Sequence, residues 1–193
     1  MTSRRKISLP VPYIFTGAAL MTLAAATEKL MGRKLWGVGG QPGFWSGDID
    51  GPHNSQYMLD PYSFSHINHG LLFYGLLHVI GRKLPLRVRA LLALVIEAAW
   101  EMAENSDAII DRYRAQTVSQ HYYGDSIVNS MCDILCMLIG FLLASRLPVW
   151  ASIALFIVIE AAMAATLRDS LLLNILMLTY PLESVRQWQM HKG

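Results

Sequence analysis

The sequence predicts an all-α protein, a polytopic transmembrane bundle of about six helices with the N and C termini cytoplasmic. Composition is the first of three observations that predict it. Hydrophobic residues make up 53% of the 193 and charged residues only 16%, against roughly 25% charge in an average soluble domain. The second is a mean hydropathy of +0.34. The third is the grouping of apolar residues into windows near the about 20 that a spanning helix needs. The length suits one integral membrane domain over 1–193. A net charge of +2 supplies no basic field for nucleic acid; the low charge and the apolar windows make membrane lipids the expected surroundings.

Six windows carry the helices, near 12–31, 64–80, 88–103, 127–145, 149–167 and 171–185. The second and third are short and contain ionisable groups. The sixth is broken by Pro181, which removes a backbone donor and predicts a kink or partial insertion. Gly81 to Arg87 and Arg146 to Pro148 are short connections. The stretches 32–63 and 105–126 are long and polar, and the first is rich in turn-forming Gly, Pro, Asp and Asn. With a cytoplasmic N terminus, ten of the sixteen Lys and Arg fall inside, most clearly in the short loops. The expected location is the bacterial inner membrane, multi-pass, with the long loops periplasmic. Ser3-Arg4-Arg5-Lys6, an apolar run and Ala24-Ala25-Ala26 also resemble a cleavable export signal. The apolar segment is longer than a typical signal core, which favours a retained helix. Cys132 and Cys136, one turn apart in an apolar run, read as small fillers.

The acids are one-sided under this topology. Glu28, Asp48, Asp50, Asp60, Glu97, Glu101, Glu104, Asp107, Asp111, Asp125, Asp133, Glu160 and Asp169 fall in the outer half, and only Glu183 falls inside. Acids contribute little to orientation, so a polar site opening outward is the expected cause. Glu97, Glu101 and Glu104 share one stripe of the third helix, and Asp125, Asn129 and Asp133 one stripe of the fourth. His66 and His69 stand three apart at the mouth of the second. A charge at the bilayer centre costs at least about 2.5–3.5 kcal/mol, so these groups must face one another, water or a cation.

Imidazole and carboxylate at helical spacing on facing helices is how bundle metal sites are made. The Glu-x-x-His pair of carboxylate di-metal proteins is absent. His66, His69, Glu101 and Glu104 are the candidate ligands for a divalent ion such as Zn, Mn or Fe. His69, Glu101, Asp125 and Asp133 are the candidate catalytic groups, with Arg112, Arg114 and Asn129 as substrate-binding groups. Plainer readings stand beside these. His69 pairs with Glu101 or Asp133 to fix packing, and His66 faces headgroups. Arg112 and Arg114 neutralise Asp107 and Asp111 or clamp an anionic headgroup. Tyr62, Tyr113, Tyr122, Tyr123, Trp36, Trp45 and Trp100 read as an interfacial aromatic belt. His53 and His121 read as solvated loop residues. No Gly-x-Ser-x-Gly surrounds Ser65 or Ser126, and Gly37 to Gly40 lacks the strand and helix of a phosphate loop.

The runs Asn54-Ser55-Gln56, Ser65-His66-Ile67-Asn68-His69-Gly70, Glu97-Ala98-Ala99-Trp100-Glu101-Met102-Ala103-Glu104-Asn105-Ser106, Arg112-Tyr113-Arg114, Tyr122-Tyr123-Gly124-Asp125-Ser126-Ile127-Val128-Asn129-Ser130 and Pro181-Leu182-Glu183 resemble the alphaproteobacterial membrane proteins grouped as UPF0314 or DUF2585. The resemblance runs from about residue 30 to the C terminus and imports no activity. Members often carry Cys-x-Cys-Gly after the first helix, where this chain has Trp36-Gly37-Val38-Gly39-Gly40. More faintly, His69, Glu101, Arg114, Asp125 and Asn129 follow an order similar to that of the VanZ-like membrane proteins, which are associated with glycopeptide resistance. That likeness implies an envelope-related role. Two functions follow as expectations: an outward-facing enzyme on a lipid or envelope precursor, or a non-catalytic accessory, assembly or ligand-binding membrane protein with a membrane protein partner.

Overall fold

The computed structural model describes residues 11–190. The basic segment Ser3–Lys6 and the inward-assigned Lys192 lie outside the described residues. The helices are α1 (Val11–Leu30), α2 (Ser63–Ile80), α3 (Leu86–Glu104), α4 (Asp107–Gln116), α5 (Ile127–Ala144), α6 (Val149–Leu167), α7 (Leu171–Thr179) and α8 (Glu183–Met190). No β-strand occurs among the described residues. The chain is all-helical.

Helix α5 is the axis of the bundle. Ile134, Met137 and Phe141 on it are wholly buried, and they join Leu77, Ala93, Leu94, Ala98 and Ala24 in the main core. Its partner α2 approaches through two glycines. A Cβ on Gly70 would fall 2.0 Å from the Met137 carbonyl oxygen, and one on Gly140 would fall 2.0 Å from that of Ile67. Backbones this close need residues without side chains, as in small-residue helix crossings. Helix α3 packs against α1, α2 and α5. On the outside of α2, Asn68 Nδ2 donates to Glu160 Oε1 of α6 at 3.0 Å.

Two helices, Ile127–Ala144 and Val149–Leu167, are long and apolar enough to cross a membrane. They differ in setting: 61% of the first is buried inside the chain and only 11% of the second. Val149, Trp150, Ile153, Ile157 and Val158 leave α6 with a bare apolar face, and Val11, Ile14, Phe15 and Leu23 do the same for α1.

The connections are more ordered than their composition implies. In the loop after α1, Met58 and Leu59 donate to the Gly43 and Phe44 carbonyls at 3.0 Å. The same loop covers the N terminus of α5. Ser126, Ile127 and Val128 donate their amides to the carbonyls of Ser55, Lys34 and Leu35, satisfying donors that a helix start leaves open. Asn129 Nδ2 adds a bond of 2.9 Å to the Tyr57 carbonyl. The second long connection holds a helix, α4, which its polar composition concealed. The helix expected over 171–185 is two helices, α7 and α8, separated at Tyr180–Leu182. Pro181 is the reason: it offers no amide donor and holds the preceding residue out of the helical region, where Tyr180 has φ −141° and ψ 79°.

Candidate functional site

The antiparallel course of α2 and α3 brings the start of one beside the end of the other, and α5 starts at that same end. His66 and His69 are therefore opposite Glu97, Glu101 and Glu104, with Asp133 nearly two turns into α5. Glu97 is the hub. Its Oε1 lies 2.6 Å from His66 Nδ1, and His69 Nδ1 lies 3.0 Å from both of its oxygens. Glu101 Oε1 is 3.3 Å from His66 Nδ1, and neither Glu101 oxygen has a hydrogen-bond donor. On the far side of the ring, His66 Nε2 faces Asp133 Oδ2 at 3.9 Å. Ser63 Oγ donates to the other Asp133 oxygen at 2.7 Å. Glu97 and Glu101 are completely buried.

Ligand atoms of His66, Glu101 and Glu104 lie within 4.8 Å of one another, as do those of His66, His69 and Glu97. Three of the four residues expected as metal ligands thus converge as one group, and His69 belongs to the adjoining one. Glu97 is the residue that the sequence reading placed on the acidic stripe without giving it a role.

Asp125 belongs to a neighbouring knot. It accepts from Asn105 Nδ2 and Tyr122 Oη, each at 3.0 Å, and burial with nearby Asp60 pushes it up to about 6. Tyr113 bonds Glu104 and Tyr62 donates to Asp169 at 3.1 Å. Burial raises the Tyr62, Tyr113 and Tyr122 hydroxyls above the usual phenol range, which keeps them donors. The aromatic-belt reading is therefore corrected for Tyr113 and Tyr122, which are buried with their hydroxyls on carboxylates, whereas Trp45 and Tyr123 are exposed. The remaining predicted residues lie outside the cluster. Arg114 is held by the Tyr122 carbonyl, Asp111 and the Tyr123 ring. Arg112 donates to the Leu178 carbonyl and lines the cavity. Asn129 ties the first loop to α5.

A cavity of about 570 Å³ opens beside the histidines. His66, His69, Glu104, Asp125 and Asp133 form its polar end, and Leu72, Phe73, Ile96, Ile175 and Leu178 its apolar walls. Pockets of this size hold a ligand by apolar contact and orient it with a few polar groups.

The family profile described as "Protein of unknown function (DUF2585)" matches residues 29–191. The chain belongs to this family. Curated relatives carry the name UPF0314 protein. That of Paracoccus denitrificans (strain Pd 1222) is 48% identical over 170 residues, covering 88% of each chain. The relative from Rhizobium meliloti (strain 1021) is also 48% identical, over 88% of this chain and 86% of its own. The Sphingopyxis alaskensis relative is 45% identical over 89% and 92% of the two chains. No solved structure matches. The DUF2585 match includes every residue of the His–Glu–Asp cluster and both long connections, so the site lies wholly within the family region.

Proposed function

We propose that this UPF0314 chain is a multi-pass inner-membrane protein whose polar end faces the periplasm. In this reading it holds a divalent metal on His66, Glu101 and Glu104 and acts on a lipid or envelope precursor in the adjoining cavity. The observation that carries the reading is the cavity itself, whose apolar walls end on imidazoles and carboxylates. The bare apolar faces of α1 and α6 support lipid as the solvent, since a water-exposed surface rarely carries such stretches.

Charge supports a cation. Glu97, Glu101, Glu104 and Asp133 carry four negative charges when ionised; His66 and His69, even both protonated, return two. A divalent ion, or protons kept on the buried carboxyls, closes the difference where water is scarce. The second support is the pairing of His66 Nδ1 with Glu97. A ligating histidine ordinarily gives its other ring N–H to a carboxylate, which leaves Nε2 for the metal. One ligand atom from each of His66, Glu101 and Glu104 lies within 4.8 Å of the others, close enough for a small shift to bring all three onto one ion at bond lengths of about 2.0–2.2 Å. A bound metal would bring the acidity of a coordinated water near neutral pH, with His69 on Glu97 as proton carrier.

A non-catalytic accessory or ligand-binding role has one observation in its favour. Many buried polar groups already satisfy one another, as Asn68 does with Glu160 and Asn105 with Asp125. Lipid extracts of cells with and without the gene separate the two readings, with complementation by the wild type, Glu101→Gln and His69→Ala. The enzyme reading expects an altered lipid or envelope precursor that only the wild type restores. Unchanged lipids together with a co-purifying membrane protein favour the accessory role.

A further inference from the structure

A second recess, of about 260 Å³, adjoins the cavity and shares Asn54 and Asp125 with it as a common wall. Its chemistry is the reverse of the first. Arg33, Lys34 and His121 line it, together with Gly32, Gly37, Gly51 and Gly124. Under the proposed topology, Arg33 and Lys34 stand on the outer face, in the long connection that follows α1. The dipole of α1 accounts for Lys29 in its last turn but not for two further cations beyond the helix end.

Arg33 is held in place and only partly neutralised, by an exposed Asp107 and by the nearby buried Glu28 carboxylate. Its Nη1 donates to the Tyr123 carbonyl at 2.6 Å. Its nearest carboxylate is Asp107, at 3.7 Å and with a side chain 96% exposed. Nε is buried and has no acceptor. Gly124, at φ +85°, makes the room: a Cβ there would fall 2.3 Å from Nη1. Asp125 on the shared wall directs its two oxygens to Asn105 and Tyr122. One held guanidinium, a lysine and an imidazole on the same recess match a phosphate monoester, with its charge of about −1.5 to −2, better than a single carboxylate. A glycine wall lets phosphate oxygens reach the backbone, and an arginine fork suits their geometry.

We infer that this recess binds the phosphate of a phosphorylated amphiphile whose apolar chain runs in the larger cavity, with Arg33 and Lys34 as the anion contacts. The inference rests on the reading of that cavity as a lipid site and adds the class of headgroup.

Calorimetric titration of the full chain in phosphatidylcholine nanodiscs tests it, with dioctanoyl phosphatidic acid, dioctanoylglycerol and inorganic phosphate as probes. Wild type should bind the phosphatidic acid at least about tenfold more tightly than the neutral lipid, the equivalent of one charge-assisted hydrogen bond. Lys34→Gln, whose side chain is exposed, should weaken phosphatidic acid about fivefold to tenfold on the same scale. It should leave dioctanoylglycerol unchanged, and Arg33→Gln should act in the same direction. Arg146→Gln, at the opposite end of α5, should change neither affinity. Equal affinity for the two lipids with no effect of Lys34→Gln overturns the headgroup assignment while leaving the cavity reading intact. Binding of inorganic phosphate alone, or of no probe, overturns both.

Discussion

Glu97 is the residue on which the cluster turns, because one buried carboxylate accepts from two imidazoles. Glu97→Gln keeps the shape, removes the charge and leaves one acceptor oxygen for two rings. Loss of one partner in such a buried pair costs about 3–5 kcal/mol, so the purified variant should unfold at markedly lower denaturant. Unfolding within error of wild type would mean that the pairing contributes nothing. Asp169 makes a separate prediction. Burial pushes it from 3.8 up to about 7, so between those values the folded chain keeps a proton that the unfolded chain has released. Its contribution to stability is therefore greatest at acid pH and falls as pH rises through about 7, then stays level. Asp169→Asn removes that slope. Unfolding at pH 5 and pH 8 should show the variant gaining on wild type at the higher pH, and parallel profiles would contradict the assignment.

At the scale of elements, the site depends on how closely α2 and α5 cross. Gly70→Ala and Gly140→Ala each drive a methyl into a facing carbonyl. They should cost about 1–3 kcal/mol or more, as overpacking does, and should separate His66 from Asp133. Gly75 lies on the same helix with nothing within 4 Å of its Cβ position, so Gly75→Ala should be neutral or slightly stabilising. Thermal melts of the three variants check the contrast. Much of this was legible in the sequence. The spacing of Glu97, Glu101 and Glu104, and of His66 and His69, follows from the helical period, and the cost of leaving buried charge unpaired turns the two stripes toward each other. What the period cannot give is register between helices. The Gly70–Gly140 contact sets it for α2 and α5, and the packing of α3 against both decides Glu97 over Glu101 as the partner of both histidines. Tyr113 and Tyr122 looked interfacial because a ring with a polar tip suits a boundary and a buried hydrogen bond equally well. Helix α4 was hidden because its polar residues carry no long apolar stripe. The recess around Arg33 joins loops far apart in sequence, and no local pattern announces it.

The whole molecule has a polar end and an opposite end where Arg82, Lys83 and Arg146 gather. If lipid surrounds α1 and α6, the two ends face different compartments. Single cysteines at Asp50 and Lys83, in a background lacking Cys132 and Cys136, should react differently with an impermeant maleimide on intact spheroplasts. Asp50→Cys should label at once and Lys83→Cys only after lysis; equal labelling would contradict the orientation.

The most direct test of the account is the metal content of protein purified without chelator. A cation held by His66, Glu101 and Glu104 predicts close to one equivalent of a divalent transition metal per chain. That metal should be lost from His66→Ala and Glu101→Gln and retained by His78→Ala, which alters a histidine near the far end of α2. Metal-free wild type with normal function, or equal metal in all four proteins, would contradict it.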